Sequence, residues 1–350
     1  MKMKKNFCLI LIILFTFVLI GCKKDKVSIG ILIYNKEDIA LQEIEQSLVE
    51  RINSEYELII KYASGSQSIQ NEQFIELLEK KVDIILVDLV DRLVAKAFIE
   101  KCNDAKIKLL FFDREPLLDD LLLGTDVYYV GPDSKGFGRL QAKMLKELSG
   151  SFIDPLIAVD KNNDSIIQIA IMKGEQGHQL TEYISETCIS EIMLKEYKIQ
   201  VLTTEFTDWK RETAKVKMEK IYKKYGDNIE VLIANSDDLA MGVIDFIHEN
   251  KLEIYSSNGK AFMPFEIIGA NATDESITEI NKGYIYGSVI NDHETQVDVI
   301  IRIIEYLLGN INCSTINECV KEFKEEVIVE KERFIYISGK EISKKTIKNN

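Results

Sequence analysis

Short apolar runs alternate with longer amphipathic segments along most of the chain. The runs are rich in Ile, Leu, Val and aromatic residues, and the segments between them repeat apolar residues at helical spacing. Such alternation predicts βαβ units on parallel sheets. The runs predicted as strands are 28–34, 56–62, 82–90, 107–113, 127–131, 166–172, 197–206, 229–235, 265–271 and 284–290.

The alternation continues without a low-complexity linker, and 350 residues exceed one typical core. We therefore predict an α/β fold with two doubly wound parallel-sheet lobes. The segments predicted as helices are 38–53, 68–81, a segment ending at 102, 134–148, 179–196, 210–225, 238–249, 273–282 and 293–308.

The first 22 residues have the pattern of a lipoprotein signal peptide. Three lysines (Lys2, Lys4 and Lys5) precede an apolar run over 7–20, which ends just before Cys22. A membrane-spanning helix needs roughly 20 apolar residues, so an uncleaved anchor is the less favoured alternative. We expect cleavage after residue 21, lipidation of Cys22, and a body tethered to the membrane on its periplasmic or extracellular face.

Charge and cysteine content exclude several classes of function. Loss of residues 1–21 leaves 41 basic and 57 acidic side chains, so the formal charge of -13 becomes -16, which disfavours a nucleic-acid partner. With three histidines and no paired cysteines, a zinc site is not expected. Cys102 and Cys188 are expected to be buried thiols, and Cys313 and Cys319 are either thiols or a disulfide.

The segment 160–168 spaces its oxygen-bearing side chains as a calcium-binding loop does. Asp160, Asn162 and Asp164 alternate, Ile166 offers its backbone carbonyl, and Gln168 adds another oxygen. An EF-hand would place glycine at the position of 165 and glutamate at that of 171, where this chain has serine and isoleucine. A turn held by its own Asp and Asn side chains is the alternative interpretation.

Polar residues follow most of the predicted strands. In open parallel sheets, ligands bind outside the carboxyl ends of strands, and Asp and Asn side chains beside an aromatic face suit a sugar-like ligand. Any one of these residues could instead be an ordinary helix cap. The strand-end residues are 35–38, Asp88, Asp113, His178, Trp209, 235–237, Asn271 and 291–292.

Several segments, in one order along the chain, resemble the periplasmic galactose/glucose-binding protein family. The resemblance extends from about Ser28 to Ile337, and it implies a type I periplasmic binding fold. The segments are FFDREP (111–116), YYVGPDSKGFG (128–138), MKGEQGH (172–178), IEVLIANSDDLAMG (229–242) and GSVIND (287–292).

The resemblance implies three chain crossings between lobes, near Gly131, His293 and Glu325. The N-terminal lobe would comprise 22–131 and 294–325, and the C-terminal lobe 132–293 and 326–350. In this family a glutamate before the ANxD strand completes the calcium site, and Glu230 occupies that position. The resemblance thus implies calcium held by Asp160, Asn162, Asp164, the carbonyl of Ile166, Gln168 and Glu230.

The sugar contacts of the family are only partly retained. Asp38, His178, Trp209 and Asn291 match, and Trp209 would stack on the ligand. At three contact positions the residue type differs from that of the family. Two asparagines are replaced by Asp113 and Ser236, and an aspartate is replaced by Asn271. Three further contact positions carry apolar residues: Ala40, Leu180 and Ile184.

Losing two charge-assisted hydrogen bonds, each contributing roughly 1.5 to 3 kcal/mol, would weaken galactose binding by about two to four orders of magnitude. The expected ligand is therefore a different small sugar, polyol or related molecule. With Asp38 and Asp113, the acidic site suits a neutral or cationic ligand.

Three functions fit this pattern. The favoured one is a solute-binding lipoprotein that closes on its ligand and delivers it to an ABC permease, with a chemoreceptor as a second partner. The alternative is a surface or sensory lipoprotein whose degenerate site leaves it to bind a protein partner. An enzyme, such as a glycosidase using Asp38 and Asp113 as paired carboxylates, is the least favoured.

Overall fold

A computed structural model describes residues 26–52, 56–149, 159–193, 198–255 and 261–347. Cys22 and the leader lie outside these ranges. The helices are α1 (Ile39–Arg51), α2 (Gln67–Lys80), α3 (Ala95–Ala105), α4 (Leu118–Leu121), α5 (Ser134–Ser149), α6 (Gln179–Met193), α7 (Arg211–Tyr225), α8 (Asp237–Glu249), α9 (Asp274–Lys282), α10 (His293–Leu307), α11 (Ile316–Cys319) and α12 (Lys344–Ile347).

The strands form two main sheets and one small hairpin. They are β1 (Ser28–Ile33), β2 (Glu57–Tyr62), β3 (Ile84–Val87), β4 (Lys108–Phe112), β5 (Val127–Pro132), β6 (Ile167–Lys173), β7 (Ile199–Phe206), β8 (Val231–Ala234), β9 (Ile254–Tyr255), β10 (Ala261–Phe262), β11 (Glu266–Ile268), β12 (Gly287–Ile290), β13 (Val327–Glu330), β14 (Phe334–Ile337) and β15 (Lys340–Ser343).

The first sheet has seven strands in the order β13-β14-β5-β4-β3-β1-β2. All pairs are parallel except β13 with β14. Its interior strand β3 is inaccessible on both faces, because α1 and α10 cover one face and α2 and α3 cover the other. Phe74 and Phe98 stack at 3.8 Å in that second layer, and burying each ring contributes about 2 to 3 kcal/mol.

The second sheet has six strands in the order β15-β12-β11-β8-β6-β7. It is parallel except for its edge strand β15, which pairs antiparallel with β12. One face packs on α7 and α8, and the other on α5 and α6. The predicted two-lobed α/β class is confirmed, and each sheet adds one antiparallel edge strand that the periodicity did not indicate.

The chain passes between the sheets three times. The first passage joins β5 to α5, and the second joins β12 to α10, which packs against α1 and β5. The predicted third crossing near Glu325 is wrong. Strands β13 and β14 pair with the first sheet, because Phe334, Ile335 and Ile337 fill its two cores. The third passage lies between β14 and β15, so residues 327–337 belong to the N-terminal lobe.

The described cysteines separate into two kinds. Cys313 and Cys319 form a disulfide, with Cα atoms 5.3 Å apart, which resolves the alternative left open by the sequence. Cys102 and Cys188 are buried free thiols. Within the ranges that the structure describes, no helix is long and apolar enough to cross a membrane.

Candidate ligand site between the lobes

Three aspartates follow strands β1, β3 and β4 at one edge of the first sheet. Asp38 caps α1 by accepting a hydrogen bond from the Leu41 amide at 3.2 Å. Asp88 is inaccessible to solvent and accepts one from the Tyr34 amide at 3.1 Å. Asp113 has a left-handed backbone with φ of 56°. The topology therefore gathers carboxylates that are distant in sequence.

The pKa of each of these three carboxyls is raised, chiefly by burial. Burial raises the pKa of Asp113 to about 6, and the charge of Asp38 adds to the effect. Burial, with the charge of Asp113 second, raises the pKa of Asp88 well above its ordinary value. The pKa of Asp38 is also raised, chiefly by burial. All three carboxyls are consequently harder to ionise than ordinary aspartates.

Arg114 is the cation beside these aspartates, and it joins the two lobes. Its guanidinium lies 3.9 Å from the centre of the Tyr34 ring and donates to the Val90 carbonyl at 2.8 Å. A second donor reaches the carboxylate of Glu175, beyond β6 in the other lobe, at 2.8 Å. Sequence reasoning missed this role, although Arg114 lies in the FFDREP segment.

A second polar link lies next to the first. The side chain of Gln179, at the start of α6, donates to the Glu115 carboxylate at 2.6 Å and accepts from the Glu115 amide at 3.2 Å. The lobes are thus in direct contact on the side of the cleft that Arg114 and Glu115 occupy.

His178 and Trp209 lie beyond β6 and β7 of the second sheet. Their rings meet edge to face with centroids 5.3 Å apart. Burial, followed by the charge of Arg114, lowers the pKa of His178 well below its ordinary value, so the imidazole is neutral. Trp209 has a left-handed backbone with φ of 60°, and its indole lies so close to Gly174 that a Cβ there would be 2.2 Å from the ring.

Ser236, Asn271 and Asn291 follow β8, β11 and β12. Ser236 is 4% exposed, and Asn271 has φ of 98° and bridges to Ile290 beside β12. Asp237 holds these loops together, because its carboxylate accepts from the hydroxyls of Ser276 at 2.5 Å and Ser288 at 2.7 Å.

Several strand-end side chains carry buried polar atoms with no hydrogen-bond partner among the described residues. Buried polar groups in proteins are normally paired, so these atoms are the ones a polar ligand would satisfy. Three belong to predicted contacts. The atoms are His178 Nδ1, Ser236 Oγ, Asn291 Oδ1, Asp88 Oδ1, Arg114 Nε and His293 Nε2.

His293 lies next to this site, although the sequence predicted only a chain crossing near it. Its charge lowers the pKa of both Asp38 and Asp113, and its Nδ1 lies 2.9 Å from the Glu43 carboxylate. Its position directly after the GSVIND segment is the sequence signal that pointed here.

The positions of the lost charged contacts have become core. Ile184 is inaccessible and belongs to the apolar cluster between α5, α6 and the second sheet. Leu180 packs against the same cluster. Their side chains stabilise the lobe, and neither can hydrogen-bond a sugar hydroxyl.

Two cavities lie away from this edge. One, of about 90 Å³, is lined by residues of both lobes near the first crossing, among them Glu115, Lys135 and Tyr336. The other, of about 500 Å³, is an open groove beside Lys108 and Tyr306. Neither includes a predicted contact, so the candidate site rests on the strand-end polar atoms, not on cavity size.

The segment 160–168 closes on itself and on Glu230. Asp160 accepts from the amides of residues 164 and 165 at 3.1 and 2.9 Å, and Gln168 Nε2 donates to Asp164 at 2.9 Å. Glu230 accepts from the amides of Lys161 at 2.5 Å and Gln168 at 2.9 Å. Hydrogen bonds of this kind are those expected of a turn held by its own side chains, which is the alternative interpretation to a calcium-binding loop.

The donor set of this loop nevertheless suits a hard cation. Asp160, Asp164 and Glu230 supply carboxylates, and Asn162 and Gln168 supply amide oxygens after rotation about their amide groups. Burial raises the pKa of Glu230. Backbone hydrogen bonds oppose this effect, and the charge of Asp160 adds to it. Within the described ranges, no three His, Cys, Asp or Glu side chains are grouped to hold a metal ion.

Known proteins share this architecture. A D-galactose/methyl-galactoside binding periplasmic protein of Haemophilus influenzae is 29% identical over 278 residues, covering 79% of this chain and 80% of that protein. A Bacillus halodurans solute binding protein of an ABC transporter, solved with myo-inositol, is 21% identical with a TM-score of 0.69, covering 93% of this chain and 96% of that one. An Actinobacillus succinogenes counterpart with bound D-allose is 17% identical with a TM-score of 0.69, covering 93% and 100%.

The match to a protein family covers most of the chain. Residues 29–311 match the periplasmic binding protein domain, and that span includes every predicted ligand contact and the whole 160–168 loop. The family is one of binding proteins, so the enzyme alternative is set aside. The chain belongs to the periplasmic binding protein domain family.

Proposed function

We propose that this protein is an extracytoplasmic solute-binding protein that captures a small sugar or polyol between its lobes and delivers it to an ABC transporter. The observation that supports this most directly is the set of unpaired, buried polar atoms at strand ends of both sheets. The relatives named above bind galactosides, myo-inositol and D-allose, which are of the same chemical class.

The binding step follows from these groups. Ligand hydroxyls would pair with Ser236, Asn291 and Asp113, while Trp209 covers an apolar face of the ring. Each lobe supplies part of the polar shell, so a bound ligand favours the closed arrangement of the lobes. Closure is the signal that a transporter, or a chemoreceptor as a second partner, would recognise.

Galactose is not the expected ligand. With Ile184 buried in the core and Leu180 partly buried against it, two charged contacts are gone, and affinity for galactose should fall by about two to four orders of magnitude. Asp113, Ser236 and Asn271 change three further contacts. We therefore propose a ligand whose polar groups differ from those of galactose.

Calcium is proposed as a structural cofactor of the 160–168 loop. Its ligands would be Asp160, Asn162, Asp164, Gln168 and Glu230, with the Ile166 carbonyl. When bound, the ion supplies positive charge that offsets the repulsion among three carboxylates. The residues themselves tie this loop to the start of β8, on the lobe that carries His178 and Ser236.

Membrane attachment is proposed through a lipid on Cys22, which would keep the protein close to its transporter. The alternative, a sensory or surface lipoprotein that binds a protein partner, requires a ligand site that no longer works. The unpaired polar atoms in the cleft favour the transport function over this alternative.

Thermal unfolding of the chain from Lys23 onward, which contains every described element, tests the proposal. Sugars, polyols, amino acids and nucleosides are compared, each with calcium and with EDTA. A ligand at a hundred times its Kd should stabilise the protein by about 2.7 kcal/mol, with a change in Trp209 fluorescence. Calcium stabilisation without a response to any compound would instead support the protein-partner alternative.

A further inference from the structure

The acidic edge of the first sheet has an unusual arrangement for a site that binds only neutral hydroxyls. Strand β3 lies between β1 and β4, so Asp38, Asp88 and Asp113 come from three neighbouring strands. The charge of Asp38 acts on Asp113, and that of Asp113 acts on Asp88. Three carboxylates therefore share one low-dielectric region.

The cations near these three carboxylates do not offset their negative charge, because each already has a partner. Arg114 is already paired with Glu175 and with the Val90 carbonyl. His293 is paired with Glu43. From the other lobe, Asp238 on α8 adds negative charge, because it lies near enough to Asp38 and Glu43 for their charges to raise its pKa.

Several unpaired atoms around this region can accept hydrogen bonds, whereas one of them, Arg114 Nε, can only donate. Asp88 Oδ1 is fully buried and Ser236 Oγ nearly so, and neither has a partner within the described part of the chain. The same holds for Asn291 Oδ1. A ligand that satisfies them must be rich in hydrogen-bond donors. An ammonium group offers three donors and also supplies the missing charge.

Resting on the proposed function, we propose that the solute is a sugar or polyol bearing a protonated primary amine, with its ammonium group held by Asp113 and Asp38. Asp88, which follows the strand between theirs, completes the acidic edge, and Ser236 and Asn291 take the hydroxyls. The proposal adds a charge requirement to the sugar-like class and assigns Asp113 as the residue that sets specificity.

Matched ligand pairs test this by calorimetry on the chain from Lys23 onward at pH 7.5. D-galactosamine is compared with D-galactose, and D-glucosamine with D-glucose and N-acetyl-D-glucosamine, which keeps the nitrogen but lacks the charge. We expect each amine to bind at least about tenfold more tightly than its uncharged counterparts, since one charge-assisted bond is gained.

Two variants locate the effect. Asp113→Asn should remove the preference for the amine, because the carboxylate that pairs with the ammonium group is lost. Asp126→Asn is the matched control, because Asp126 lies at the opposite end of the strands and pairs with Lys108 at 3.1 Å; it should keep the preference. Thermal unfolding of both variants verifies that they fold.

The outcomes separate the two proposals. Neutral sugars binding as tightly as the amines would overturn the amine requirement and leave the transport function standing. An amine preference that survives in Asp113→Asn would overturn the role of Asp113. Binding of none of these sugars, charged or neutral, would count against the proposed function and this inference together.

Discussion

Asp113 shows how a single side chain can set the character of a site. Its backbone is left-handed, and the Tyr129 hydroxyl donates to its carbonyl at 2.8 Å, so its position is held from behind. Asp tolerates that conformation better than most residues. Its carboxyl is close enough to Asp38 for the charge of that residue to act on it.

Replacing Asp113 by asparagine should stabilise the unliganded protein near neutral pH. Its folded-state pKa of about 6 lies above its ordinary value of 3.8, so the protonated form favours folding at low pH and that contribution is lost as pH rises through about 6. We expect Asp113→Asn to gain about 1 to 2 kcal/mol at pH 7.5. The gain should shrink toward zero as pH falls to about 4.

Thermal melts of the two proteins from pH 4 to pH 8 check this prediction. A difference that stays constant across the range would show that burial and the charge of Asp38 do not oppose the ionisation of Asp113. Asp126→Asn, at the solvent-exposed end of the sheet, should give the same small change at every pH.

Glu230 is the residue on which the calcium proposal depends. Calcium in excess should raise the unfolding midpoint of the unaltered protein, and Glu230→Gln should abolish that rise, because one carboxylate of the proposed site loses its charge. Glu249→Gln on the exposed end of α8 is the control and should keep it. A midpoint that is the same in calcium and in excess EDTA would overturn the assignment.

At the scale of elements, two helices of the second lobe approach closely at one glycine. A Cβ on Gly242 of α8 would lie 2.2 Å from the Arg211 carbonyl and 3.0 Å from the Ala214 side chain. The same helix begins at Ser236 and Asp237, so the packing of α7 on α8 also positions the ligand edge. Arg211 adds ion pairs to Asp245 and Glu275 at 2.6 and 2.9 Å.

Gly242→Ala should therefore destabilise the protein by about 2 to 3 kcal/mol, because backbone must move to admit one methyl group. Urea unfolding measures the free energy of unfolding directly. Glu219→Ala, on the exposed face of α7, is the matched control and should change it by less than about 0.5 kcal/mol. An unchanged free energy in Gly242→Ala would show that the helices can separate without cost.

At the scale of the whole molecule, the polar links between lobes determine how readily the cleft opens. Arg114 is largely buried, whereas 40% of the Glu175 side chain is exposed. The pair therefore lies at the margin of the cleft, where opening would return Glu175 to solvent. The second link, Gln179 to Glu115, is also polar, so the contact is reversible.

Glu175→Ala should shift the unliganded protein toward open forms. Losing one partly exposed ion pair weakens the closed arrangement by about 1 kcal/mol, which changes the ratio of closed to open molecules about fivefold. Small-angle scattering should record a larger radius of gyration for Glu175→Ala than for the unaltered protein. Glu186→Ala, an exposed control on α6, should show no increase. A radius equal to that of the unaltered protein would mean that other contacts hold the lobes together.

Periodicity alone predicted the order of the main strands and helices up to residue 308, and with it the two-lobed α/β class. Alternation of apolar runs with amphipathic segments reports burial of neighbouring residues, which is a local property. The strand-end positions of Asp38, His178, Trp209 and Ser236 followed from the same pattern, because each residue lies in the segment that follows an apolar run.

Which distant parts of the chain are in contact is visible only in the folded molecule. There β13 and β14 belong to the first lobe, Cys313 is bonded to Cys319, Arg114 pairs with Glu175, and Asp88 lies beside Asp113. Strand pairing and charge interactions depend on distances in space between residues far apart in sequence. The charge balance of the site, and with it the chemistry of the ligand, is therefore a property of the folded molecule.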